Sequence, residues 1–159
     1  MSEREWALLL HLVGAVLLFS GTAIAGVAYA GARRRERPGE IAALLGLTRA
    51  GVAFVAAGAL LVVGSGLWLI EVSNGFYSLG DGWIAGAFGL LVVSFLLGAL
   101  GGQRPKRARR LASRLADGGG GTPEELRNLL DDAGSDALNY AAALAMVAAL
   151  VLMVWKPGQ

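Results

Sequence analysis

From Trp6 to Ala32 the chain is apolar or small at every position except His11, Ser20, Thr22 and Tyr29, and the run stops at Arg33-Arg34-Arg35-Glu36-Arg37. About 20 residues of helix cross a hydrocarbon core of about 30 Å, so this block is long enough to span a bilayer and is closed by the charges that would halt it at a headgroup layer. Three further blocks follow. The second ends at Trp68-Leu69-Ile70 and reaches back to Ile41, which makes a helix of about 45 Å. That is longer than the core, so residues 41–48 are expected in the inner interface with Arg49 near the boundary. The third runs from Trp83 to Gly102 and the fourth from Ala137 to Trp155. The expected fold is all-α: one domain, a four-span antiparallel bundle with spans at about 6–32, 47–70, 83–102 and 137–155.

Composition agrees with this class. Of 159 residues 55% are hydrophobic and 16% charged, outside the usual soluble range. There is no cysteine, which excludes disulfides, thiolate metal sites and thiol nucleophiles. Ala28-Tyr29-Ala30 also fits the small-x-small pattern of a cleavage site. However, Ser2-Glu3-Arg4-Glu5 has no net positive charge, the apolar run exceeds a signal-peptide h-region, and arginines follow it, so the block is expected to remain as a span.

The cations set an orientation. Eleven of fourteen lie in the links 33–40 and 103–136, Arg49 adjoins that side, and only Arg4 and Lys156 lie beyond the opposite ends. The positive-inside rule then places both termini outside, and Trp6, Trp68, Trp83 and Trp155 all fall at the outer ends of their blocks. The expected location is the bacterial cytoplasmic membrane.

The outer link 71–82 carries Asn74-Gly75 and Gly80-Asp81-Gly82 turn signals around Phe76-Tyr77. In the inner link 103–136, the stretch Arg104 to Arg114 has Arg107, Arg110 and Arg114 at helical spacing with Leu111 and Leu115 opposite. Two readings stand: a basic interfacial helix drawn to anionic lipids, or a solvated extension of the third span. After Gly118 to Gly121, Thr122-Pro123-Glu124-Glu125 has the form of a capping box and predicts a short helix at about 123–132. Leu126, Leu129 and Leu130 would be its apolar stripe, Gly134 its stop, and Ser135 the cap of the fourth span.

Polar groups at membrane depth are the candidate functional residues. His11, the only histidine, lies in the outer half of the first span, where low dielectric favours the neutral imidazole. As a structural group it would bond to a carbonyl, Ser65, Ser73 or water. As a functional group it would ligate haem iron or copper, or relay protons. With no second His and no Cys, the available partners are Met146 and Met153, seven residues apart and so roughly on one helix face, or the His11 of a second copy. Arg49 and Asp136 form a candidate structural pair across the second and fourth spans, with lipid phosphate the alternative partner for Arg49. The glycines of the apolar blocks predict close helix packing rather than a wide pore. No acid falls within a span, and no phosphate loop, dinucleotide fingerprint or nucleophile elbow is present.

Several short motifs carry a resemblance: His11-Leu12-Val13-Gly14, Gly66-Leu67-Trp68-Leu69-Ile70, Gly82-Trp83-Ile84 and Met153-Val154-Trp155-Lys156-Pro157-Gly158. Together they resemble a family of bacterial predicted integral membrane proteins of unknown function, common in actinobacteria. The early-span histidine is also similar to that of CopD-like copper-resistance and HemJ-type membrane proteins, which implies haem b or copper as a cofactor, although this chain departs from them in having no second histidine. Three functions follow in order: a non-enzymatic membrane protein acting by packing, as homo-oligomer or accessory subunit; a haem- or copper-binding protein using His11; a small-solute transporter. Lipid, anionic at Arg104 to Arg114, is the expected surrounding, and no nucleic-acid partner is expected.

Overall fold

The computed structural model describes residues 2–157, so Gly158, the last residue of the C-terminal motif, lies outside it. Its elements are α1 (Glu3–Arg33), α2 (Pro38–Glu71), α3 (Gly82–Gly101), α4 (Gln103–Ala116), α5 (Pro123–Leu130) and α6 (Ala133–Trp155). Four segments are long and apolar enough to cross a membrane: α1, α2, α3 with its continuation α4, and α6 with the preceding α5.

Local chemistry sets the helix ends. Ser2 accepts from the Glu5 N–H and the Glu5 carboxylate accepts from the Ser2 N–H, a complete capping box at the start of α1. Pro38 opens α2 where its missing N–H costs nothing. Asn74 and Gly75, at φ 52° and 87°, turn the chain beyond α2. Thr122 caps α5 by accepting from the Glu125 N–H at 3.1 Å.

The start of α6 differs from the sequence expectation. Asp132, not Ser135, is its N-cap and accepts from the Ser135 N–H at 2.8 Å, while Gly134 lies inside the first turn. The Ser135 hydroxyl is used elsewhere. Pro105 has no N–H to offer the Gly101 carbonyl, so the helical bond expected there is missing and the helix is interrupted at Gly102. Ser135 Oγ donates to that carbonyl instead, with Asn139 Nδ2 at 3.4 Å. A Cβ at Gly101 would lie 2.6 Å from Asn139 Oδ1 and would displace that amide.

The helices associate as two tight pairs. Along α1 the residues Ala7, Gly14, Gly21 and Ala28 recur every seven and are buried; along α2, Gly51, Gly58 and Ser65 do the same. The two stripes meet backbone to backbone and antiparallel. A Cβ on Gly21 would lie 2.5 Å from the Gly51 carbonyl oxygen, one on Gly51 2.6 Å from that of Gly21, and one on Gly58 2.7 Å from that of Gly14. A seven-residue period keeps the same face toward a partner helix over several turns. In the second pair, α3 and α6, Gly98 faces Ala142, Gly86 faces Leu152, and Ser94 Oγ donates to the Ala142 carbonyl at 2.8 Å. Side chains rather than backbones join the pairs, through Leu18, Leu91 and Met146 with Phe19, Val55 and Phe95 around them.

Below the spans α4 and α5 fold under α2. Ala108, Leu111 and Ala112 of α4 and Leu126 and Leu130 of α5 bury Ile41, Leu45 and Ala32. The apolar face of α4 is therefore covered by protein, and its six cations occupy the remaining faces. α4 continues the third span beyond Gly102 as a separate helix.

Candidate functional site

His11 lies between α1 and α2, one turn outward of the Gly14 contact. Its Nδ1 is 3.3 Å from Ser65 Oγ, and its ring edge lies over Gly66, where a Cβ would come within 3.4 Å of Cε1. Ser65 Oγ also bonds the Leu61 carbonyl, very closely. A hydroxyl has one proton, and a carbonyl can only accept, so Ser65 donates to Leu61 and accepts from His11. Nδ1 thus carries the ring proton in neutral His11 and Nε2 keeps its lone pair. This is the tautomer in which a histidine oriented by one nitrogen can bind through the other.

Met146 does not complete a site with it. Met146 is buried against Leu18 and Leu91, with Sδ 3.8 Å from Thr22 Oγ1. Thr22 is eleven residues beyond His11 on α1, about 16 Å of helix, so Met146 and His11 are not brought to one ion. Met153, one heptad outward on α6, rises to about the depth of His11, but α6 leans on α3 through Leu152 and Gly86. The residues do not fit a haem held by His11 and Met146 of one chain. Among the described residues no group of three or more His, Cys, Asp or Glu side chains is placed to hold a metal ion.

Asp136 pairs with Arg33, not with Arg49. Arg33 Nη1 is 2.6 Å from Asp136 Oδ2, and its Nε is 3.3 Å from Asp131 Oδ1. The reason is register. Gly51 faces α1, so Arg49, two residues earlier and about 200° round the helix, points away from it. By the same register Arg49 stands level with Ala23, some ten residues outward of Arg33. It is exposed and makes no ion pair among the described residues, as a side chain reaching toward lipid phosphate would be.

Arg33 belongs to a larger inner lock that sequence reasoning missed. Arg127 of α5 donates from Nη1 to the Arg33 carbonyl at 2.7 Å and from Nη2 to the Arg35 carbonyl at 2.5 Å, satisfying orphan acceptors at the end of α1. In return Tyr29 Oη of α1 donates to the Leu130 carbonyl at 2.7 Å, at the end of α5. Each helix caps the other. Arg33 then ties both to the first turn of α6, and its guanidinium stands 5.9 Å from the Tyr29 ring centroid.

At the outer end Lys156, in a left-handed turn with φ 45°, donates from Nζ to Tyr77 Oη at 2.7 Å and lies 5.5 Å from the Trp83 ring centroid. This clamp covers Trp83. Its residue is only 7% exposed, whereas Trp6 and Trp155 are 48% and 77% exposed, so Trp83 is a packed residue rather than a member of the interfacial belt. Its Nε1 is buried without a partner. The buried serines 65, 94 and 135 each bond a helix carbonyl, as membrane-embedded hydroxyls do.

No curated protein and no solved structure matches the chain. One family model does, over residues 6–157, and its description is predicted integral membrane protein (DUF2269). With four apolar helices and a match that covers nearly the whole sequence, the chain belongs to this family of integral membrane proteins.

Proposed function

We propose that the protein is a non-enzymatic subunit of the bacterial cytoplasmic membrane that works by helix packing, as a homo-oligomer or as an accessory subunit of a larger complex. The observation that supports this is a second set of small residues that internal packing does not use. Gly46, Ala50, Ala53, Ala57 and Gly64 recur on the outward face of α2, where Gly46 and Gly64 have nothing within 4 Å. Glycine within a helix costs up to about 1 kcal/mol relative to alanine and gains nothing from lipid, whereas at a helix–helix contact it lets backbones approach. The mass of the protein extracted in mild detergent tests the reading. Wild type is expected as a multimer or with a stoichiometric partner, and Ala57→Leu is expected to dissociate it without lowering its melting temperature. A wild-type particle holding one chain and nothing else would overturn the proposal.

The orientation has both termini outside and the basic face of α4 inside, toward anionic headgroups. Ser2, Ser78 and Ser113 are all exposed and serve as reporters. Cysteines placed at Ser2 and Ser78 are expected to react with an impermeant maleimide in intact cells, and one at Ser113 only after lysis. Labelling of intact cells at Ser113 alone would invert the topology.

One observation favours a second reading, a haem- or copper-binding protein: the Nε2 lone pair left by the His11–Ser65 bond. Since Met146 is out of reach, the second ligand would be Met153 or the His11 of another copy. His11→Gln is expected to remove any bound haem or copper, read as the Soret band or metal content, with an unchanged melting temperature, since an amide can rebuild the bond to Ser65. Cofactor that survives this substitution would leave His11 a packing residue.

A further inference from the structure

A groove opens at the inner membrane boundary where α3 passes into α4 at Gly102. α4 packs on α2 and α5 while α6 packs on α3, and between the starts of α4 and α6 lies a space of about 520 Å³ lined by Leu100, Arg104, Arg107, Asp132, Ser135 and Leu138 among others. Its depth is fixed by the spans. Arg104 is 21 residues from Trp83 and Ser135 is 20 from Trp155, in each case about 30 Å of helix, the thickness of a hydrocarbon core.

The lining has two halves. Leu100, 54% exposed, and Leu138 form an apolar wall on the membrane side. Arg104 and Arg107 stand on the other side, facing Asp132, which already accepts from the Ser135 N–H and lies 3.9 Å from Arg104. Two guanidinium groups against one carboxylate leave a net charge of +1, open to solvent and headgroups. A phosphodiester carries a single negative charge and planar guanidinium groups bind it through paired N–H donors.

We propose that this groove seats one anionic phospholipid, with its phosphodiester between Arg104 and Arg107 and an acyl chain along Leu100 and Leu138. The seat rests on the inward placement of the basic face of α4 and narrows it from a general attraction to one stoichiometric site.

The test uses the full chain in detergent, titrated with phosphatidylglycerol or phosphatidylcholine and read by native mass spectrometry. One phosphatidylglycerol per chain is expected to bind in preference to phosphatidylcholine. Arg104→Gln with Arg107→Gln is expected to weaken it about thirtyfold, from about 1 kcal/mol per basic residue near a charged headgroup. Lys106→Gln with Arg110→Gln, the same charge loss on the exposed face of α4, is expected to weaken it no more than about threefold. Asp132→Asn keeps the helix cap and raises the local charge, so phosphatidylglycerol should bind more tightly, a gain that no folding defect imitates. Equal losses in the two double variants would replace the seat with diffuse attraction, and displacement by millimolar inorganic phosphate would make the groove a site for free anions. Both outcomes overturn the lipid seat. Failure of the membrane reading itself is distinct: the chain would not float with neutral phosphatidylcholine vesicles.

Discussion

Gly58→Leu is expected to pull α1 from α2 and to lower stability in detergent by about 3 kcal/mol, the upper end of what overpacking costs, because the intruding Cβ meets backbone on the facing helix. It would stand 2.7 Å from both the Gly14 carbonyl oxygen and the Leu18 N, and backbone can give way only if the helices separate. Lipid solvates apolar side chains as well as protein does, so close approach is the main source of attraction between α1 and α2, and losing it is not offset elsewhere. Gly89→Leu is the matched control. Nothing lies within 4 Å of a Cβ there, and leucine is the better helix former, so stability should not fall and should rise by no more than about 1 kcal/mol. Thermal unfolding of the two variants decides the matter. A Gly58→Leu protein that melts like wild type would show that the seven-residue stripe does not hold the pair together.

Why the glycines of one period pack and the others do not was not evident from their abundance. The four apolar helices were legible because a bilayer imposes a length and a composition on each block separately. Pairing depends on register between blocks. The sequence does contain a usable signal: Ala7, Gly14, Gly21 and Ala28 on α1 and Gly51, Gly58 and Ser65 on α2 share a period of seven, while Gly26, Gly46 and Gly64 fall outside it and meet nothing. Searching for that period, rather than for small residues in general, identifies α1 and α2 as partners. His11 and Ser65 lie farther out on the same seam, one turn beyond Gly14 on α1 and two turns beyond Gly58 on α2.

The inner lock was hidden for a different reason. Arg33 is the first of a run of cations, and a topological rule counts such a run without distinguishing its members. Only Arg33 has a carboxylate within 4 Å on α6, because it is the last residue of α1 and still follows the helix direction toward Asp136. Arg127 and Tyr29 each satisfy carbonyls at the other's helix end. Caps made by long side chains from a distant element leave no local pattern, in contrast to Thr122, whose cap lies three residues from its donor.

Arg33→Met is expected to destabilise the protein by about 2 kcal/mol, and the comparable Arg49→Met by less than about 0.5 kcal/mol. The Arg33 side chain is 36% exposed and that of Asp136 21%, so the pair is shielded enough to matter yet wet enough for its energy to fall below that of a fully buried pair. Removing the guanidinium also strands Asp131 and Asp136 beside each other with Asp132 close by, three carboxylates at the junction of α5 and α6. Asp136→Asn should therefore rescue part of the loss in the Arg33→Met background, and a double-mutant cycle between positions 33 and 136 should give a coupling of about 1 kcal/mol that shrinks in 1 M salt. The cycle between 49 and 136 should give none. A coupling at 49 and not at 33 would mean that α2, rather than α1, meets the start of α6, and the register set by the glycine stripe would have to be abandoned with it.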